Sequence, residues 1–141
     1  MATRSAIAIK TSTGVRAIYC HWDGYLEAVG VTLQESYTTA EQINELMELG
    51  DLSTLADTPF GCEAYHRDRS EPFEQTRARE YGTVQDMLEG EFENSDREFL
   101  YVFLETGKWA VVDGRTYEFE GPQLLSNKLA KAARRATMQL V

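Results

Sequence analysis

A chain of 141 residues, 43% of them hydrophobic, has the size and composition of one ordinary folded domain, 1–141, and not of a disordered tail or a repeat array. Two cysteines, Cys20 and Cys62, are too few for a secreted module built on disulfides, and no stretch approaches the roughly 20 apolar residues of a membrane span. A net charge of −9 argues against direct nucleic-acid binding and suits either solubility alone or a basic partner.

Residues 5–10, SAIAIK, alternate in the manner of a strand. TSTG turns the chain, and the β-rich run VRAIYCHW, 15–22, returns it, so the N-terminus is predicted to be a hairpin. Asp23-Gly24 ends that run. Leu26, Val29, Gly30, Leu33 and Tyr37 then fall at helical spacing and predict a helix over 25–37. Thr39 and Gln42 form a capping box that opens a second helix, 40–49, with Ile43, Leu46 and Met47 inward and Gly50 as its stop. Residues 51–82 show no clean period and read as a long irregular segment, of the kind that is often functional or mobile. Thr83 is placed to cap an acidic helix, 83–93, with Val84, Met87 and Leu88 inward. EFLYVFLE and KWAVVDG make a hairpin over 98–114, apolar at nearly every position and therefore covered on both faces. RTYEFE is read as a further short strand. Gly121-Pro122 leads into a basic helix over 122–138. The expected class is α+β, an antiparallel sheet built from the two hairpins and packed with helices about 25–37, 40–49, 83–93 and 122–138.

The chemistry-bearing residues concentrate in two stretches. In IYCHWDGY, 18–25, strand alternation puts Tyr19 and His21 on one face, and Ile18, Cys20 and Trp22 on the other, which is the core face. Tyr19, His21, Asp23 and Tyr25 then form a rim at a strand end, where binding groups are commonly placed. In AYHRDRSE, 64–71, Tyr65, His66, Arg67 and Arg69 combine groups that hold anions or stack on bases, although local pairing of Arg67 and Arg69 with neighbouring acids is the simpler reading. If His66 folds back beside His21, the two stretches close into one site. Cys62-x3-His66 has zinc-like spacing, but alternation sends Cys20 and His21 apart, so no metal is expected. A Cys20–His66 nucleophilic dyad needs an exposed, acidified thiol, which a core-facing Cys20 is not. No phosphate-cradling glycine loop, HExxH or dinucleotide fingerprint occurs, and Glu89, Glu91 and Glu93 read as a solvated helix face. No catalytic residues and no cofactor are assigned.

RSAIAI, IYCHWDGY, ELGDLSTL, AYHRDR and the pattern LYVF-x5-W-x-V-x-DG together resemble a family of small proteins encoded in bacteriophage genomes and bacterial prophage regions, over residues 4 to about 114. In that family a proline commonly follows the last tyrosine of IYCHWDGY, whereas Leu26 stands there in this chain and leaves the helix start less defined. The resemblance implies a protein acting in the host cytoplasm, with no membrane attachment, that binds and inhibits a host or anti-phage defence protein without catalysis. It also admits a binder of, or small enzyme acting on, a signalling nucleotide. A third possibility is a nucleic-acid mimic using the acidic segments 23–55 and 86–98. Oligomeric state is left open.

Overall fold

A computed structural model describes residues 2–93, 97–114 and 123–139. Its frame is an eight-stranded mixed sheet: β1 (Ser5–Thr11), β2 (Gly14–Cys20), β3 (Leu52–Thr54), β4 (Glu63–Ala64), β5 (Arg79–Tyr81), β6 (Phe99–Phe103), β7 (Trp109–Asp113) and β8 (Gln123–Leu124), in the spatial order β4-β3-β2-β1-β6-β7-β8, with β5 also on β2. The helices are α1 (Val31–Ser36), α2 (Ala40–Leu49), α3 (Tyr65–Arg69), α4 (Phe73–Thr76), α5 (Val84–Glu93) and α6 (Leu125–Gln139). The class is α+β, and both expected hairpins form. The sheet is not antiparallel throughout. β1 lies parallel to β6 along Ser5↔Phe99 to Ile9↔Phe103, and β2 lies parallel to β3 at Cys20↔Leu52. The two hairpins meet side by side through their first strands, which run in the same direction, and neither hairpin's own pattern can specify that.

β1 explains why the sheet buries both faces. Its alternation is of small against large, not of polar against apolar. Ile7 and Ile9 point to one face, with Ile18, Phe99, Tyr101, Phe103 and Trp109, beneath Leu33, Ile43, Leu46 and Met47 of α1 and α2. Ala6 and Ala8 point to the other, with Ala17, Leu100, Val102 and Ala110, beneath Met87 and Leu88 of α5. Small residues at the pleat let a single short helix approach closely.

The predicted helix 25–37 is a π-turn, Leu26–Gly30, leading into the short α1. The capping box forms as expected, with Gln42 N–H donating to Thr39 Oγ1 and Thr39 N–H to Gln42 Oε1. Gly50 ends α2 at φ +78, where a Cβ would collide with the Thr76 carbonyl. Segment 51–82 contains three short strands and two short helices rather than irregular chain. Strands of two or three residues carry too little pattern to be read. The C-terminal helix begins at Leu125, after β8, and the expected strand at 115–120 lies outside the described residues. No helix among the described residues is long and apolar enough to cross a membrane.

Candidate functional site

β2 has a forked edge, and the fork builds the site. β5 pairs with its first half, Val15 to Ala17, and β3 with its end at Cys20. Tyr19 falls between them, and its N–H donates to the carboxylate of Asp51 at 2.9 Å. Asp51, just ahead of β3, thus takes the place of a missing strand residue. On the same face of the sheet Arg79 grips Glu91 in a fork, Nε to Oε2 at 2.7 Å and Nη2 to Oε1 at 2.9 Å, and reaches Asp51 at 3.2 Å. The Tyr81 hydroxyl donates to Glu91 as well. Arg97 Nε stands 3.1 Å from Glu91 Oε1, and its guanidinium lies 4.7 Å over the Tyr19 ring.

The fate of Glu91 corrects the expectation of a solvated face: it is 2% exposed. Burial opposes its charge, but hydrogen bonds and charge from Arg79 outweigh burial and hold the carboxyl below its ordinary value. Asp51 goes the other way, raised because burial outweighs the help it receives from Arg79. Burial and the bond to Glu91 push Tyr81 up to about 12. A sequence signal existed, since Glu91 falls three and four residues after Leu88 and Met87, on the stripe that faces the sheet.

Above this network stands the rim. Tyr19 Oη and His21 Nδ1 share a hydrogen bond of 2.6 Å. Burial raises the Tyr19 phenol above its ordinary value, against the lowering influence of the nearby Arg4 and Arg97 guanidiniums. Trp22 contradicts the expectation that it faces inward: it is 43% exposed and stands edge-on to His21, ring centroids 4.7 Å apart. The reason is local. β2 ends at Cys20, and the successive N–H groups of His21 and Trp22 both donate to β3, to the carbonyls of Leu52 and Ser53 at 3.0 Å each. Two consecutive amides on one side break the pleat, and alternation stops two residues early. Ile18 and Cys20 do face the core, and burial drives the Cys20 thiol up to about 12, far from a nucleophile's range.

Asp23 is exposed at φ +58, and Gly24 behind it is buried against Ser5, its carbonyl accepting the Tyr101 hydroxyl at 2.7 Å. That bond pins the turn to the central strands. Tyr25 follows, 40% exposed. Tyr19 and His21 are thus joined at the strand end, and Asp23 and Tyr25 follow on the turn after it.

AYHRDR contributes only in part. Tyr65 lies beside Ser53 and near enough to Tyr19 to oppose its ionisation, and Arg69 sits 5.1 Å over the Tyr65 ring while reaching Ser53 Oγ at 3.2 Å and Glu63 at 2.6 Å. His66 does not join His21. Its Nδ1 meets the Glu71 carbonyl at 2.7 Å, and its ring packs on Phe73. Arg67 pairs with Asp68 at 3.0 Å and caps the carbonyls of Pro59, Phe60 and Cys62. Local pairing, the simpler reading of Arg67 and Arg69, is what the structure shows. No group of three or more metal-ligating side chains occurs among the described residues. Compared with protein-family models, curated proteins and solved structures, the chain matches none of them.

Proposed function

We propose that this chain is a phage-encoded accessory protein that acts in the host cytoplasm by binding a host or anti-phage defence protein and occluding it, without catalysis. The observation that supports this most is Trp22, 43% exposed and edge-on to His21, with Tyr25, 40% exposed, three residues on, along a backbone that is bonded to β3 and to Tyr101. Exposed aromatic side chains on a rigid base are the residue types and the setting from which interface hot spots are built. A nucleotide-binding reading draws less support. Arg67, Arg69, Arg79 and Arg97 are each already paired with carboxylates, so a phosphate would have to displace them. The cavities beside α6 hold about 90 and 180 Å³, below the roughly 300–1,000 Å³ of ordinary ligand sites, and the hollow of about 600 Å³ along β5 is lined by Arg77 and Arg79, which already pair with Glu74 and Glu91, and by Glu80.

Affinity capture from a bacterial host lysate, with mass spectrometry of retained proteins and small molecules, tests the reading. The expected result is a retained protein whose recovery falls with Trp22→Ala and not with Glu45→Ala on the exposed face of α2. Retention of a nucleotide alone would refute it.

A further inference from the structure

Phe60 is 91% exposed, the most exposed large apolar side chain among the described residues. The turn that carries it, by contrast, is held by several hydrogen bonds. Pro59 opens a tight turn, Pro59–Gly61, in which Gly61 N–H donates to the Thr58 carbonyl at 3.1 Å and Cys62 N–H to the Pro59 carbonyl at 3.3 Å. The buried Cys62 sulfur accepts the Ala56 N–H at 3.2 Å, and the Tyr37 hydroxyl holds the Ala56 carbonyl at 2.6 Å. Arg67 closes the turn from the other side. Its Nη1 reaches the Pro59 carbonyl at 3.0 Å, and its Nη2 reaches the carbonyls of Phe60, at 3.3 Å, and Cys62. Asp68 fixes the guanidinium and is itself anchored by the Ala64 N–H at 2.8 Å. A flexible loop would let a phenyl ring fold onto the body of the protein, as apolar side chains do. This loop keeps it out.

We infer that Phe60 is an anchor that inserts into an apolar pocket edged by lysine or arginine on a partner protein. The inference deepens the proposed function and rests on it. A loop whose backbone is already held does not have to be ordered on binding, and a fully buried phenylalanine removes roughly 150–250 Å² from water. Asp57, three residues before Phe60, is exposed and carries no ion pair among the described residues, and the chain carries −9, so a basic rim is the complementary one. The same charge opposes an anionic lipid surface and a second copy of this chain. Arg67 and Asp68 accordingly serve to present Phe60, not to bind an anion.

The test takes the full chain with Phe60→p-benzoylphenylalanine, irradiates it in bacterial host lysate, and maps the adduct. The partner so identified is then titrated against the wild type, Phe60→Ala, Arg67→Ala and Phe73→Ala. Crosslinks should land on apolar side chains flanked by Lys or Arg. Phe60→Ala should weaken binding at least tenfold at an unchanged melting temperature. Arg67→Ala should weaken it less, while speeding amide exchange at 60–62. Phe73→Ala, whose ring already packs on His66, should change nothing. Adducts with lipid, with a second copy of this chain, or with a partner surface lacking basic residues would overturn the inference. So would unchanged affinity of Phe60→Ala. If Trp22→Ala loses the partner and Phe60→Ala keeps it, the anchor is refuted and the proposed function stands. If the wild type retains no protein, both fall.

Discussion

At the scale of single residues, two tryptophans do opposite work. Trp109 is 4% exposed, stacks edge-on against Phe103 and donates its indole N–H to the Tyr37 carbonyl at 2.8 Å. Trp109→Ala should cost about 3–5 kcal/mol, read from urea unfolding, because it leaves both a cavity and an unpaired carbonyl. An unchanged midpoint would place the indole outside the core. Trp22→Ala should move stability by about 1 kcal/mol at most, since the ring is 43% exposed and packs on His21 at the rim and not in the core, and should act on binding instead. His21→Ala should likewise leave the fold intact, since the imidazole's ties are to Tyr19 and Trp22 on the surface rim, while binding weakens. Far-ultraviolet dichroism showing His21→Ala unfolded would make His21 a structural residue. The chain's most distinctive stretch was half legible. Period-two alternation assigned Ile18, Tyr19, Cys20 and His21 correctly, and it failed at Trp22 because register against β3, a strand of three residues, decides where the pleat ends.

Among the elements, α5 carries the sharpest energetic test. Glu91 is the carboxylate between two guanidiniums, 1% exposed in its side chain. Glu91→Gln should destabilise by about 3 kcal/mol at pH 7, near the lower end for a broken buried pair because the Arg79 side chain is still 32% exposed. The pH dependence has a defined sign. The folded protein holds Glu91 below its ordinary 4.5, so its contribution is complete above 4.5 and is lost as pH falls through the lowered folded value. The gap between wild type and Glu91→Gln should therefore narrow from pH 7 to pH 3 in urea titrations, and a constant gap would show that the carboxylate is not held by charge. Asp51, raised above 3.8, contributes in the opposite sense: its ionised form is the costly one, and acid relieves it. Gly50→Ala should cost more than the roughly 1 kcal/mol of an ordinary glycine substitution, since φ is +78 and a Cβ would strike the Thr76 carbonyl. Helix ends were readable because caps are local, as Thr39 with Gln42 shows. The network was not, because Asp51, Arg79, Glu91 and Arg97 are far apart in sequence and meet only through the fork in β2.

For the molecule as a whole, charge sets the terms of association. With −9 overall, capture of a basic-rimmed partner should slow by roughly tenfold or more between about 20 mM and 500 mM salt, with a smaller effect on dissociation, in surface-binding kinetics. A salt-independent association rate would make the acidic surface a matter of solubility only. The fold class was legible in the two hairpins, whereas their parallel junction was not, because pairing between strands distant in sequence leaves no mark on either strand. That junction also has a consequence for biosynthesis. Ser5 pairs with Phe99, so the N-terminal hairpin leaves the ribosome with the inner edge of β1 open, and it stays open until β6 is made. The nascent chain carries the run SAIAI with free backbone groups on that side for most of its synthesis, which is a template for unwanted strand pairing. The pairing that closes it is nonlocal, so refolding belongs in the millisecond-to-second range rather than the microsecond range of helical bundles. A fragment ending before residue 97 should therefore aggregate rather than persist as a smaller domain, even though it contains five of the eight strands.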